Sequence, residues 1–98
     1  MTYSQLQKLE NDISIFKYDL MLHAIGFKRN QVHRYKIHCY RNYFCESSHD
    51  TTDWDKLVEL GVAELITKGN EAVYYRVSQL GIEFIQAREG VKIIFDAD

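Results

Sequence analysis

The sequence predicts one small domain of the α+β class, and three observations predict it. Apolar residues within 2–25 fall at Leu6, Leu9, Ile13, Phe16, Leu20 and Ala24, the threes and fours of a single helical stripe. Two runs rich in β-branched and aromatic residues, 62–67 and 73–77, flank Lys68, Gly69, Asn70 and Glu71, the composition of a hairpin and its turn. The 98 residues are 46% hydrophobic, 27% charged and 13% aromatic, which is enough apolar surface for one core and excludes the polar, aromatic-poor class of disordered chains.

The N-terminal stripe predicts one long helix or two in series, with Asn11 or Asp12 capping a second helix near Ile13 and Gly26 ending the element. Residues 27–38 mix Lys28, Arg29, Asn30, Gln31, His33, Arg34 and Lys36 without a period, which predicts an irregular excursion, and loops of that length usually serve a purpose. In the aromatic run 38–45, Tyr40, Tyr43 and Phe44 stand at helical spacing and predict a short helix that turns them inward. Thr51 or Thr52 caps a predicted amphipathic helix through Trp54, Leu57, Val58 and Leu60, stopped at Gly61. After the hairpin, Ser78 caps a helix carrying Leu80, Ile82, Phe84, Ile85 and Ala87 to Gly90. Residues 91–95 form a third strand or a partner-facing edge.

The run Leu57, Val58, Glu59, Leu60, Gly61, Val62, Ala63, followed by Tyr74, Tyr75, Arg76, Val77, Ser78, Gln79, Leu80, Gly81, Ile82, Glu83, Phe84 and Ile85, resembles the second half of prokaryotic winged-helix proteins. In those a helix ends at Leu-Gly, a wing hairpin follows, and Ser or Thr begins a helix with Gly three residues on. The physical sense is that Gly61 permits the sharp exit into the first wing strand and Gly81 lets the last helix lie close to the sheet. A second likeness covers residues 21–85, through Met21, Leu22, His23, Ala24, Ile25, Gly26, then Tyr40, Arg41, Asn42, Tyr43, Phe44, then Leu60, Gly61. It is similar to small phage and prophage proteins. The two resemblances imply a winged-helix-like domain over 1–98, with 1–16 as a helical extension, and an origin in a mobile element.

Charge is unevenly spread. Residues 17–43 hold six basic residues (Lys17, Lys28, Arg29, Arg34, Lys36, Arg41) against Asp19, net +5, while the remainder, with 6 basic and 13 acidic residues, is net −7. In winged-helix DNA binders the helix before the wing presents cations and amides to the major groove. Here that helix and its entry carry Asp50, Asp53, Asp55 and Glu59 against Lys56, and carboxylates repel phosphates.

The leading expectation is therefore a non-enzymatic binding protein of phage or prophage type that docks onto a host or phage protein. Its surface would be Asp50, Asp53, Asp55 and Glu59 around Trp54, should Trp54 be exposed, and the target a host nucleic-acid-binding or defence machine. The alternative is a winged-helix nucleic-acid-binding regulator of transcription. It would use Lys28, Arg29, Arg34, Lys36 and Arg41 on phosphates, with Tyr35 or Tyr40 stacking on a base. Against it stands a solvated loop that pairs with the acids of its own chain. The stripe Leu6, Leu9, Ile13, Phe16 and Leu20, or the strand 91–95, would serve a homodimer unless it packs on its own C-terminal helix.

No catalytic residue is expected. Ser47, Ser48, His49 and Asp50 are neighbours in sequence but read as a polar loop and helix cap, and no Gly-rich phosphate loop is present. His33, His38, Cys39, Cys45 and His49 carry the ligand atoms of a tetrahedral zinc site, yet their spacing matches no finger or ribbon, so neither metal nor cofactor is expected. Two cysteines are too few for a disulfide framework and are expected as thiols. Short apolar stretches and the lack of a basic, apolar leader predict a cytoplasmic site in the host cell, away from membranes.

Overall fold

A computed structural model describes residues 1–95. The chain runs α1 (Tyr3–Asp12), α2 (Ile15–Ile25), a 3-10 turn (Arg29–Gln31), β1 (Lys36–Cys39), β2 (Phe44–Ser47), α3 (Thr52–Glu59), β3 (Ala63–Lys68), β4 (Ala72–Val77), α4 (Gln79–Glu89) and β5 (Lys92–Phe95). This is an α+β domain. Among the described residues no helix is long and apolar enough to cross a membrane.

The N-terminal stripe is two helices. Ser14, extended at φ −66° and ψ 160°, caps α2 by accepting from the Lys17 amide at 3.2 Å, so the cap is neither Asn11 nor Asp12, which are still inside α1. The break rotates the stripe. Leu9 and Ile13 are buried, with α1 lying against α4, while Phe16 turns outward and is 61% exposed.

Two sheets follow. Strands β2, β4 and β3 form an antiparallel sheet with β4 in the centre, and β1 pairs in parallel with β5. Both observations correct the helix expected over 38–45. Burial alternates through β1, where Lys36 and His38 are exposed and Ile37 and Cys39 buried, and Tyr40 and Tyr43 are exposed as well. Pairing with strands far along the chain overrides the local helical spacing of Tyr40, Tyr43 and Phe44. Between the sheets Asn42 acts as a strand substitute: its side-chain amide donates to the Val77 carbonyl and accepts from the Val77 amide, both at 2.9 Å. The segment 27–38 is likewise ordered, as the 3-10 turn and a tight reversal at His33–Lys36 that opens into β1.

The core is one cluster built around α2, α3, α4 and the inner faces of the strands. Phe44, Trp54 and Tyr75 stack through it with ring centroids 5.1 and 5.6 Å apart. Gly61 leaves α3 at φ +83°, and Gly81 brings α4 so close to the hairpin that a Cβ there would run into the Val62 carbonyl and the Val77 side chain. Ser78 ties the same corner. Its hydroxyl donates to the Gly61 carbonyl at 2.6 Å and accepts from the Gly81 amide at 3.1 Å.

Candidate functional site

The reversal into β1 has the geometry of a two-residue hairpin turn. The His33 amide donates to the Lys36 carbonyl at 2.8 Å and the Lys36 amide to the His33 carbonyl at 3.0 Å. Between them Arg34 and Tyr35 have φ of 51° and 67°, the left-handed values such a turn demands and which Asn and Gly supply at lower cost. Side chains pay for this conformation with about 1–2 kcal/mol each. The Tyr35 carbonyl accepts from the Lys92 amide of β5 at 2.7 Å, which holds the turn in place.

The turn gathers charge on one side. Gln31, His33, Arg34, Lys36 and His38 line a cleft of about 350 Å³, and among the described residues no carboxylate lines it. Lys36 stands beside Lys92 in the β1–β5 register, and both are exposed. Among the described residues Lys28, Arg34, Lys36 and Lys92 make no ion pair, so their charge is directed to solvent. Tyr35, 79% exposed, projects from the tip, and Tyr40, 67% exposed, follows two positions beyond His38.

Of the five cations expected to act together, two serve the fold instead. Arg29 makes a two-pronged contact with Glu89, at 2.8 Å from Nε and 3.1 Å from Nη2, and Glu89 also accepts from the buried Tyr18 hydroxyl at 2.8 Å. Burial alone would raise the Glu89 carboxyl, but the bonds from Arg29 and Tyr18 outweigh it and hold it below the usual range. Burial and then Glu89 push the Tyr18 hydroxyl far upward. Arg41 donates from Nη2 to the His23 carbonyl at 2.7 Å, closing the C-terminal turn of α2, with its guanidinium 5.3 Å above the Tyr40 ring. Lys28, Arg34 and Lys36 remain, and Gln31, His33, His38 and Lys92 join them from positions the charge count did not single out.

The acidic surface is weaker than its composition implied. Trp54 is wholly buried in the aromatic stack, so the condition that made it a docking anchor is not met. The reason is local: Trp54, Leu57 and Val58 form the inward stripe of α3. Asp55 accepts from the Tyr75 hydroxyl at 2.6 Å and from Thr51 at 2.7 Å, which sets its carboxyl below the usual range, while burial and the Asp55 bond push Tyr75 up to about 12. Asp53 faces Lys17 at 3.7 Å and Glu59 faces Lys56 at 3.7 Å. Asp50 is exposed.

The remaining sequence candidates do not converge. The Ser48 hydroxyl donates to the Asn70 carbonyl at 2.7 Å, and the His49 backbone amide reaches the Ser47 hydroxyl at 3.3 Å, so this run pins a turn. Cys39 is buried on the inner face of β1 and Cys45 is exposed on β2. Among the described residues no three His, Cys, Asp or Glu side chains gather as a metal site would require, and His33, His38 and His49 join no such group. Comparison with protein-family models, curated proteins and solved structures finds no match to this chain.

Proposed function

We propose that this chain is a non-enzymatic nucleic-acid-binding protein whose contact surface is the 33–36 turn and the exposed face of β1. One observation carries the reading: Arg34 and Lys36, with Gln31 and His33, line one cleft that has no carboxylate among the described residues, in a chain whose net charge is −2. Two neighbouring cations, Arg34 and Lys36, favour an anion between them. A polyanion supplies regularly spaced charge, and Lys92, next to Lys36, extends the row. The acidic helix α3 stays away from phosphates in this arrangement, which removes the electrostatic objection to a nucleic-acid partner. The winged-helix likeness is part of the proposal. The β2–β4–β3 order and the Gly61 and Gly81 corners favour it, whereas a single eight-residue helix between β2 and β3 departs from a helix-turn-helix pair. A mobile-element origin rests on the short motifs alone.

The test is a binding isotherm on a labelled oligonucleotide across salt concentration. Three to four phosphate contacts give a slope of log affinity on log salt of about −2 to −4, so fourfold more salt weakens binding by roughly 16- to 250-fold. Arg34→Gln with Lys36→Gln lowers the slope by about 2. A flat salt response, or an unchanged slope in the double variant, removes the cleft from the account. Arg29 and Arg41 are unsuitable targets, because losing their bonds to Glu89 and His23 perturbs the fold itself.

A second reading is a host or phage protein as partner, favoured by a separate observation. Tyr43, Cys45 and Tyr74 share the outer face of the three-stranded sheet, with Tyr43 52% and Tyr74 38% exposed. Aromatic residues of this kind anchor protein interfaces. A purified complex that survives Tyr43→Ser with Tyr74→Ser would exclude this face as its seat.

A further inference from the structure

We propose that the cleft takes a single-stranded nucleic acid, with phosphates among Arg34, Lys36 and His33 and a base stacked on Tyr35. The inference rests on the nucleic-acid reading above and adds the strand form and the role of one side chain. Tyr35 is the most exposed large apolar side chain among the described residues, at 79%. It is also held in a backbone conformation that aromatic residues rarely adopt, at φ 67°, directly after Arg34 at φ 51°. A turn whose only task was to reverse the chain would favour Asn-Gly, which fits the same dihedrals without strain. Conformational strain that the surrounding bonds over-determine is characteristic of ligand contacts, and here it places an exposed aromatic residue between Arg34 and Lys36 of the cleft.

The layout matches what unpaired strands require. Lys36 and His38 occupy successive outward positions of β1, and Tyr40, just beyond the end of the strand, is a second exposed ring. Four residues of extended chain span about 13 Å. Cations that track the backbone and rings that offer a stacking face are the two components of single-strand sites, and every base has a face to stack. A duplex hides those faces. The short turn also lacks the helix or ribbon that fills a major groove, and α3, the helix before the wing-like hairpin, is acidic.

The experiment compares a fluorescent oligothymidylate with a duplex of equal length by anisotropy, using the full chain. Four proteins are measured: the natural chain, Tyr35→Asn, Tyr35→Trp, and Arg34→Gln with Lys36→Gln. Asn tolerates the left-handed conformation, so Tyr35→Asn keeps the turn, and a thermal melt equal to or above that of the natural chain verifies this. The expected result is tighter binding of the single strand than of the duplex, a loss of about tenfold or more in single-strand affinity for Tyr35→Asn, and restoration by Tyr35→Trp. Unchanged single-strand affinity in Tyr35→Asn, with both probes weakened by the charge variant, overturns the stacking role and leaves the nucleic-acid reading standing. Preference for the duplex overturns the strand assignment. Binding to neither probe overturns both.

Discussion

Residues in this chain divide by what their bonds leave over. Trp54 illustrates the division. As the single tryptophan on the most acidic helix it looks like an anchor, but its ring lies between Phe44 and Tyr75 and is shielded from water. Trp54→Ala is expected to cost about 3–5 kcal/mol, a large share of the roughly 5–15 kcal/mol available to a small domain. Urea unfolding followed by circular dichroism measures this, and a cost below about 1 kcal/mol would show that the stack is not the core. Trp54, Leu57 and Val58 already carried the signal, since the spacing that made α3 amphipathic placed the ring on its apolar side. The roles of Arg29 and Arg41 were not legible in the same way. Their partners, Glu89 and the His23 carbonyl, lie 60 and 18 positions away, and a charge count along the chain registers neither.

Elements show why local pattern succeeded in one half and failed in the other. From the exit of α3 to the start of α4 the boundaries are marked by residues with a steric or capping reason, Gly61, the 69–71 turn, Ser78 and Gly81, whereas Thr51, expected as the cap of α3, makes no side-chain cap bond and donates to Asp55 instead. These effects act over a few residues, so the sequence displays them. Strands β1 and β2 have four residues each, and their partners β5 and β4 come much later in the chain. Tyr40, Tyr43 and Phe44 fit a helix as well as a strand, and the long-range ladder that decides between them is invisible locally. The 33–36 turn was equally hidden, because Arg34 and Tyr35 are not turn formers. Replacing that pair with Asn-Gly is expected to raise stability by about 1–3 kcal/mol through relief of left-handed strain. Thermal melting checks it, and a lower melting temperature would mean that the two side chains contribute more to the fold than their backbone costs.

For the molecule as a whole, two carboxylates couple the fold to pH. Asp55 and Glu89 both sit below their ordinary values in the folded state, 3.8 and 4.5 respectively, through hydroxyl and guanidinium bonds. A depressed folded-state value means that the contribution is complete above the unfolded value and is lost as pH falls through the folded one. Stability is therefore expected to decline from about pH 4.5 downward. Asp55→Asn and Glu89→Gln are less stable than the natural chain at neutral pH and lose less on acidification. Urea midpoints at neutral pH and at pH 3 give the comparison, and parallel acid losses in all three proteins would assign the effect to other groups.

Spread over the molecule, the charges also separate into used and unused. Arg29, Arg41, Lys17, Asp53 and Asp55 are engaged internally, while Lys28, Arg34, Lys36 and Lys92 form no ion pair among the described residues. The basic middle of the sequence pointed to this region, but only part of it survives as a surface, and Lys92 joins from the opposite end of the chain through strand pairing. The most direct measurement is a nuclear magnetic resonance titration of the isotope-labelled chain with a short oligonucleotide, reading backbone amide shifts. The account predicts that the perturbed amides cluster at 31–38 and around Lys92, with 50–59 unmoved. Shifts centred on α3, or none anywhere at saturating oligonucleotide, would contradict it.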